Sequence, residues 1–194
     1  MSINKVNTFI DRSQTRSIQI SEDGKVSETI TRKIRNLSQG ESGAGDYITY
    51  IRLFFPSEST LTGVTLDEKS VPMKDEKAKN QTLPYGELDM SLPGLIGMGI
   101  ALKVDPGKER SISISITHKE TLLTDTKEAL MTIFEQKQAG IDTIPTTTTI
   151  NFSPTWIASL LPSTQIGRVV AKQGYLEYNT LLSEDSEFLF RLIR

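Results

Sequence analysis

The chain contains no cysteine among its 194 residues, so it can form neither a disulfide bond nor a thiolate metal site. It has no run of about 18 consecutive apolar residues, the length that a membrane-spanning helix requires. Its first residues, 1–7, lack the apolar centre of a signal peptide. From these absences we expect the chain, as given, to be soluble.

The chain also lacks a marked excess of either positive or negative charge. The sequence has 22 lysine and arginine residues against 24 aspartate and glutamate residues, a formal net charge of −2. Proteins that bind nucleic acid usually carry a basic surface or stripe, and no such cluster is present. We therefore expect no nucleic-acid partner.

The dominant pattern is an alternation of apolar and polar side chains, which is typical of strands with one buried face. Between Leu95 and Lys119 two alternating runs flank Asp105-Pro106-Gly107-Lys108, and proline followed by glycine favours a tight turn. This stretch predicts a β-hairpin. The dipeptide Asp23-Gly24 predicts a second hairpin that joins strands at 17–21 and 25–37.

Similar patterns along the chain predict about eleven or twelve strands and little or no helix, and so an all-β protein of immunoglobulin-like β-sandwich type. We expect a lead-in segment at 1–16, a β-sandwich lobe at 17–119 and a second β lobe at 120–194, or one continuous sandwich domain. The segment 124–138 could begin as a helix, although its continuation favours a strand.

Two other stretches carry more specific expectations. Residues 47–55 are apolar on both faces, which predicts a central strand packed on two sides. Residues 67–94 are the most irregular part of the chain, and we expect a long connection there with at most one or two short strands.

Few residues are candidates for catalysis. The only histidine, His118, ends a predicted strand, and the sequence has no Gly-x-Ser-x-Gly elbow to accompany it. Gly94, Gly97 and Gly99 lack the order of a dinucleotide-binding loop and lie within a strand pattern, so we interpret them as places where another group approaches closely. We predict no catalytic residue, no cofactor and no cofactor-binding residue.

Acidic residues cluster in several loops, but none of the clusters has the alternating acids and glycine of a calcium loop. We therefore predict no metal site. Aromatic residues could instead form a platform on which a sugar stacks, although we expect most of them to serve the core. The aromatic residues concerned are Tyr47, Tyr50, Tyr85, Trp156, Tyr175 and Tyr178.

Read from end to end, the order of short motifs resembles the C-terminal β-rich region of a bacterial family known as domain of unknown function 4012. The resemblance covers nearly the whole chain. It departs from the family pattern at Ala139, where the family often has proline, and in the unusual connection at 67–94. The motifs that carry it are Asn4-Lys5-Val6, Arg12-Ser13, Ile18-Gln19-Ile20, Asp23-Gly24-Lys25-Val26, Asn36, Gly45-Asp46-Tyr47, Tyr50-Ile51-Arg52-Leu53, Phe55-Pro56, Val104-Asp105-Pro106-Gly107-Lys108-Glu109, Gln136-Lys137-Gln138 and Gly140.

The resemblance implies an extracellular part of a large bacterial envelope protein whose membrane anchor lies outside this sequence. It implies no activity, because the family has none established. We accordingly expect a non-enzymatic structural or interaction module with an unknown protein or glycan partner at the cell surface, and loops 38–46 and 67–94 as the contact regions. The alternative is a carbohydrate-binding β-sandwich module.

Overall fold

The computed structural model describes residues 8–39, 45–74, 82–122, 127–137, 141–160 and 166–194. Within these ranges the chain has fourteen strands and no α-helix. The predicted all-β, sandwich-like class is confirmed. The strand number is higher than predicted because the irregular connection contributes two short strands, as its pattern allowed.

The strands follow one another along the chain with only turns and loops between them. They are β1 (Ile10–Ile20), β2 (Lys25–Asn36), β3 (Tyr47–Pro56), β4 (Thr60–Leu66), β5 (Lys69–Ser70), β6 (Tyr85–Asp89), β7 (Leu95–Val104), β8 (Glu109–Thr121), β9 (Glu128–Glu135), β10 (Ile144–Asn151), β11 (Ile157–Leu160), β12 (Ile166–Lys172), β13 (Tyr175–Leu182) and β14 (Ser186–Ile193).

These strands form three sheets. The largest has eight strands in the order β12-β13-β10-β1-β2-β8-β4-β5, and the other two have the orders β11-β14-β9 and β3-β7-β6. β1 and β10 run parallel, whereas β10 and β13 run antiparallel. On β1, β2, β10 and β13 the even-numbered side chains are the buried ones over most of each strand, as the two-residue period of a strand requires.

Both predicted turns are present, but only one of them closes a hairpin. Gly24 and Gly107 have φ values of 79° and 70°, which glycine adopts without steric cost. The first turn joins β1 to β2, which are neighbours in the eight-stranded sheet, so that hairpin is confirmed. The second turn joins β7 to β8, but these strands belong to different sheets, so the hairpin predicted between Leu95 and Lys119 is wrong. The alternation and the turn residues predicted both strands and the turn between them, but not which strands pair.

The chain divides into two compact units that are interleaved along the sequence. Unit 1 comprises residues 1–13, 32–57 and 63–113, and unit 2 comprises 14–31, 58–62 and 114–194. Neither unit is one continuous stretch, and the lobes predicted at 17–119 and 120–194 stay a prediction. β1 begins at Ile10, so residues 10–16, expected in the lead-in segment, belong to a strand.

The core of unit 1 is built from apolar side chains of its two sets of strands. The β3-β7-β6 sheet supplies the larger share, and β2, β4 and β8 of the large sheet supply the rest. Its buried apolar residues include Ile34, Tyr47, Ile51, Leu53, Phe55, Leu66, Met98, Ile100, Leu102, Val104 and Ile112.

The core of unit 2 contains the strand-borne aromatic residues of the C-terminal half. The rings of Tyr178 and Phe188 pack at a centroid distance of 5.3 Å. Its members are Ile18, Ile20, Val26, Ile133, Ile150, Phe152, Trp156, Ala158, Leu176, Tyr178, Phe188, Phe190 and Leu192.

Two strand predictions have different outcomes. Residues 128–135 form a strand, as favoured, while 123–126 and 138–140 lie outside the described residues. The prediction that 47–55 is a central strand packed on two sides is wrong: β3 is an edge strand, and Ile48 on its outward face is 61% exposed. The prediction failed because the outward face of β3 carries aromatic and aliphatic side chains, a composition that is typical of a buried face.

Candidate functional site

Among the described residues, two groups of polar and aromatic side chains are candidates for a functional site, one in each unit. The first is a row of polar groups in unit 2, all buried except the half-buried His118. Arg16 on β1 and Glu28 on β2 occupy inward positions, next to the apolar residues of the same strands. His118 on β8 follows in sheet order, and Ser59 lies in the turn just before β4. We call these four residues, together with Glu135 of β9, the polar row.

Hydrogen bonds join Ser59, His118, Glu28 and Arg16 in sequence, and an ion pair links Arg16 to Glu135. Glu28 Oε2 accepts from Arg16 Nε at 2.6 Å, and Glu28 Oε1 lies 3.1 Å from His118 Nε2. An ionised carboxylate only accepts, so His118 donates from Nε2. In the neutral ring Nδ1 then accepts from the Ser59 hydroxyl, 3.2 Å away.

Glu135 closes the other end of the row. Its Oε2 lies 3.7 Å from Arg16 Nη1 and accepts from Gln14 Nε2 at 3.2 Å. Its Oε1 accepts from the Thr148 hydroxyl at 2.7 Å and from the Tyr178 hydroxyl at 3.4 Å. All these side chains are buried, and the carboxylate is compensated by one cation and three neutral donors.

The titration of the row follows from burial and charge. Burial alone would raise the pKa of Glu28, but the Arg16 charge and the hydrogen bond and charge of His118 outweigh it and lower the pKa to about 2. Burial lowers the pKa of Arg16, but the two carboxylates raise it further than burial lowers it. Burial and the charge of Glu135 raise the pKa of Tyr178.

Ser59, His118 and Glu28 stand in the order nucleophile, base and carboxylate that acyl-transfer enzymes use. Two features oppose that use. Ser59 is only 8% exposed, so a substrate has little access to its hydroxyl. The Glu28 carboxylate is also engaged by Arg16, whose Nε lies 2.6 Å from Glu28 Oε2. The geometry suits stabilisation of unit 2 better than nucleophilic catalysis.

The second group lies on the outward face of the β3-β7-β6 sheet in unit 1. On β3 the outward residues Tyr50, Arg52 and Phe54 alternate with buried ones. Across β7 they face β6, because Arg52 pairs with Gly99 and Gly99 with Glu87. Phe54 pairs with Gly97, which pairs with Asp89, and Tyr50 pairs with Ala101, which pairs with Tyr85. We call Tyr50, Arg52, Phe54, Tyr85, Glu87 and Asp89 the aromatic face.

The two glycines of β7 make this arrangement possible. A Cβ atom on Gly99 would overlap the Tyr50 hydroxyl, and one on Gly97 would come within 2.9 Å of Phe54 Cε1. The interpretation of these glycines as positions of close approach is confirmed. Gly94 differs, since its φ of 75° requires glycine although nothing lies within 4 Å of it.

Polar contacts hold the aromatic face together. The Tyr50 hydroxyl donates to Glu87 Oε1 at 2.5 Å, and Lys74 Nζ lies 3.0 Å from Glu87 Oε2. The Arg52 guanidinium lies 5.3 Å from the Tyr50 ring centroid, 5.8 Å from that of Phe54 and 3.5 Å from Asp89 Oδ2. Hydrogen bonds from Tyr50 and Lys74 lower the pKa of Glu87, while burial and the bond to Glu87 raise the pKa of Tyr50.

The aromatic residues proposed from the sequence as a sugar platform do not come together as one set. Trp156, Tyr47 and Tyr178 are buried. Tyr50 and Tyr85 share the aromatic face, and sequence reasoning missed their neighbour Phe54. The sequence shows that Phe54 and Tyr50 share one face of β3. It does not show that this face points away from the core.

The predicted loops and acidic clusters are only partly described. Residues 40–44 and 75–81, including Asp75 and Glu76, lie outside the described residues. Asp67 pairs with Arg110 at 2.7 Å on the surface. Among the described residues, no three histidine or acidic side chains are grouped so that they could hold a metal ion. The described strands and loops also include no helix of the length and apolarity that a membrane crossing requires.

Comparison with known proteins finds similarity of structure only. No family model matches the chain, and no curated protein sequence matches it. Among solved structures, an M1 zinc metallopeptidase from Deinococcus radiodurans aligns over 94% of this chain and 42% of its own length, with 8% identity and a TM-score of 0.47. The chain thus spans less than half of that enzyme.

Two further structures are similar to the same degree. A candidate nutrient-binding protein from Legionella pneumophila aligns over 94% of this chain and 67% of its own length, with 11% identity and a TM-score of 0.49. Yeast LTA4 hydrolase aligns over 95% of this chain and 29% of its own length, with 11% identity and a TM-score of 0.47. Because all three scores lie below 0.5, they support no conclusion about what this chain does.

Proposed function

We propose that the chain is a non-enzymatic, exported structural or interaction module of a larger bacterial envelope protein, as its resemblance to the domain of unknown function 4012 implies. In this proposal the anchor that tethers the parent protein to the membrane lies outside this sequence. The partner is a protein or glycan at the cell surface.

The observation that carries the proposal is the contrast between the two groups of side chains. Four members of the polar row are buried and His118 is half-buried, and the charges of Arg16, Glu28 and Glu135 are compensated within the fold, so the row stabilises rather than reacts. The aromatic face presents half-buried rings and charged side chains on a regular sheet, where a partner can reach them. Aromatic and arginine side chains are the groups most enriched where proteins bind partners.

The exported location can be tested in the full natural protein within its own bacterium. An epitope inserted after Ser183, which is exposed in the turn between β13 and β14, marks this module without interrupting a strand. We expect a protease added to intact cells to remove the epitope while a cytoplasmic marker survives. An epitope that is cleaved only after the cells are lysed would overturn the exported location.

The alternative function, a carbohydrate-binding module, stays a prediction. The residue set first proposed for it is divided between two cores and the surface. Of the half-buried members, Tyr50 and Tyr85 belong to the aromatic face and Tyr175 lies apart from them on β13 in unit 2. The aromatic face is therefore where two of these rings occur together.

A further inference from the structure

We propose that the aromatic face binds a neutral oligosaccharide, which stacks on Phe54 and Tyr50 and hydrogen-bonds to Arg52, Glu87 and Asp89. The inference rests on the proposed function, for which it names the class of partner. It differs from the platform expected from the sequence, since that set included Trp156 and omitted Phe54.

The first argument is the shape of the surface. Between the residues of the aromatic face, the middle strand β7 presents only Gly97, Gly99 and Ala101, while its exposed Leu95 and Lys103 lie at either end of this stretch. The rings of Tyr50 and Phe54 lean over the two glycines. A low, partly apolar surface of this kind matches the flat C–H face of a pyranose ring, which buries its apolar atoms against an aromatic ring.

The second argument is the charge balance. Within the face Arg52 carries one positive charge and Glu87 and Asp89 carry two negative charges, and Lys74, which pairs with Glu87, brings the group to formal neutrality. A polyanion such as a nucleic acid or an acidic polysaccharide gains nothing from such a surface. A neutral ligand rich in hydroxyl groups, which both donate and accept, can use the cations and the carboxylates alike.

The third argument is the state of the polar groups before binding. Arg52 and Asp89 are 3.5 Å apart, with side-chain exposures of 42% and 25%, so the pair is loose and open to a hydroxyl group. Tyr50, in contrast, is fixed by its hydrogen bond to Glu87. The face therefore combines one preorganised ring with polar groups that remain accessible, which limits the ordering cost of binding.

Titration of the ¹⁵N-labelled chain with cellohexaose, mannohexaose and chitohexaose, followed by amide chemical shifts, tests the inference. With at least one of these neutral sugars, at up to about 10 mM, we expect saturable shifts in the range of weak binding. The shifts should be confined to residues 50–54, 85–89 and 97–101. Heparin, as a polyanion, should produce none there.

Variants connect the shifts to the stacked rings. Phe54→Ala should weaken the affinity by about tenfold, the value of one stacked ring. Tyr50→Phe, which keeps the ring, should weaken it less. Leu181→Ala removes an exposed apolar side chain from β13 in unit 2 and should leave the affinity unchanged. A thermal melt of each variant establishes that it is folded.

Several results would overturn the inference. They are the absence of shifts with all three sugars, shifts located elsewhere in the chain, heparin binding at the aromatic face, and unchanged affinity in a folded Phe54→Ala variant. None of them affects the protease test of export. If none of the sugars binds but the protease test supports export, the proposed function stands with a protein as the partner.

Discussion

The carboxylate of Glu28 has a partner on each oxygen, Arg16 on one and His118 on the other. The sequence allows part of this to be predicted, because Glu28 lies on the same face of β2 as Val26 and Ile30. Alternation therefore places a carboxylate in the core. Its partners could not be predicted, since they come from β1 and β8, and the order of strands in a sheet is a property of the folded chain.

The pairing of Glu28 makes stability depend on pH in a definite direction. The pKa is lowered from its usual 4.5 to about 2, so the ionised form stabilises the folded chain above the unfolded value. This contribution is lost as the pH falls from 4.5 towards 2. In Glu28→Gln, Arg16 loses its closest partner, and we expect a loss of about 3 kcal/mol at pH 7.

Urea unfolding at a series of pH values measures the effect. The difference between the natural chain and Glu28→Gln should be largest at neutral pH and should shrink below 4.5. Glu58→Gln is the matched control, because Glu58 pairs with Lys119 at 3.3 Å on the exposed surface. That substitution should have little effect at any pH. A constant difference between the chain and Glu28→Gln would contradict the assignment.

The burial of Ser59 leads to a prediction about reactivity. Because its hydroxyl is largely shielded and bonded to His118, we expect a fluorophosphonate probe to leave Ser59 unlabelled in the folded chain. Mass spectrometry of the intact protein measures labelling directly, with a serine esterase as the positive control. A single adduct that disappears in Ser59→Ala would show that the row is a nucleophilic site after all.

At the scale of single elements, prediction succeeds where a signal is local. The turns at Gly24 and Gly107 are local, since glycine at positive φ directs a tight turn. The pairing of the flanking strands is not local, because β1 and β2 form a hairpin whereas β7 and β8 belong to different sheets. Whether β3 is an edge strand or a central strand is not determined by its local sequence. Whether its Tyr50 and Phe54 side chains meet another layer depends on what lies beyond the sheet, and neither composition nor period carries that information.

The dependence of the aromatic face on β7 can be tested with Gly99→Ala. Within a strand, alanine is normally more favourable than glycine by up to about 1 kcal/mol. Here the added methyl overlaps the Tyr50 hydroxyl, and we expect the chain to be destabilised by about 1 to 3 kcal/mol, as in other overpacked sites. Denaturant unfolding gives the value.

Two further variants isolate the cause. Gly45→Ala adds the same methyl where nothing lies within 4 Å and should be nearly neutral. In a Tyr50→Ala background Gly99→Ala should no longer destabilise, because the clash is gone. A Gly99→Ala chain that is as stable as the natural one would show that the Tyr50 ring is not held firmly over Gly99 and moves aside at little cost.

At the scale of the whole molecule, the interleaving of the units decides which fragments can fold. A fragment of residues 120–194 matches the second lobe predicted from the sequence. It lacks Ile18, Ile20 and Val26, which belong to the core of unit 2, and it lacks Arg16, which faces the buried Glu135. The three apolar side chains alone contribute roughly 5 to 9 kcal/mol on burial, whereas a whole domain is stable by about 5 to 15 kcal/mol.

We therefore expect the 120–194 fragment to be unfolded on its own. β10 would also lose its parallel neighbour β1, which pairs with it from Gln14 to Gln19, and an unpaired strand edge promotes aggregation. Amide chemical-shift dispersion and a thermal melt measure the outcome, with the full chain in the same buffer as the control. A fragment with dispersed amides and a cooperative melt would show that the boundary near residue 120 separates two domains, and that the core of unit 2 tolerates the loss of β1 and β2.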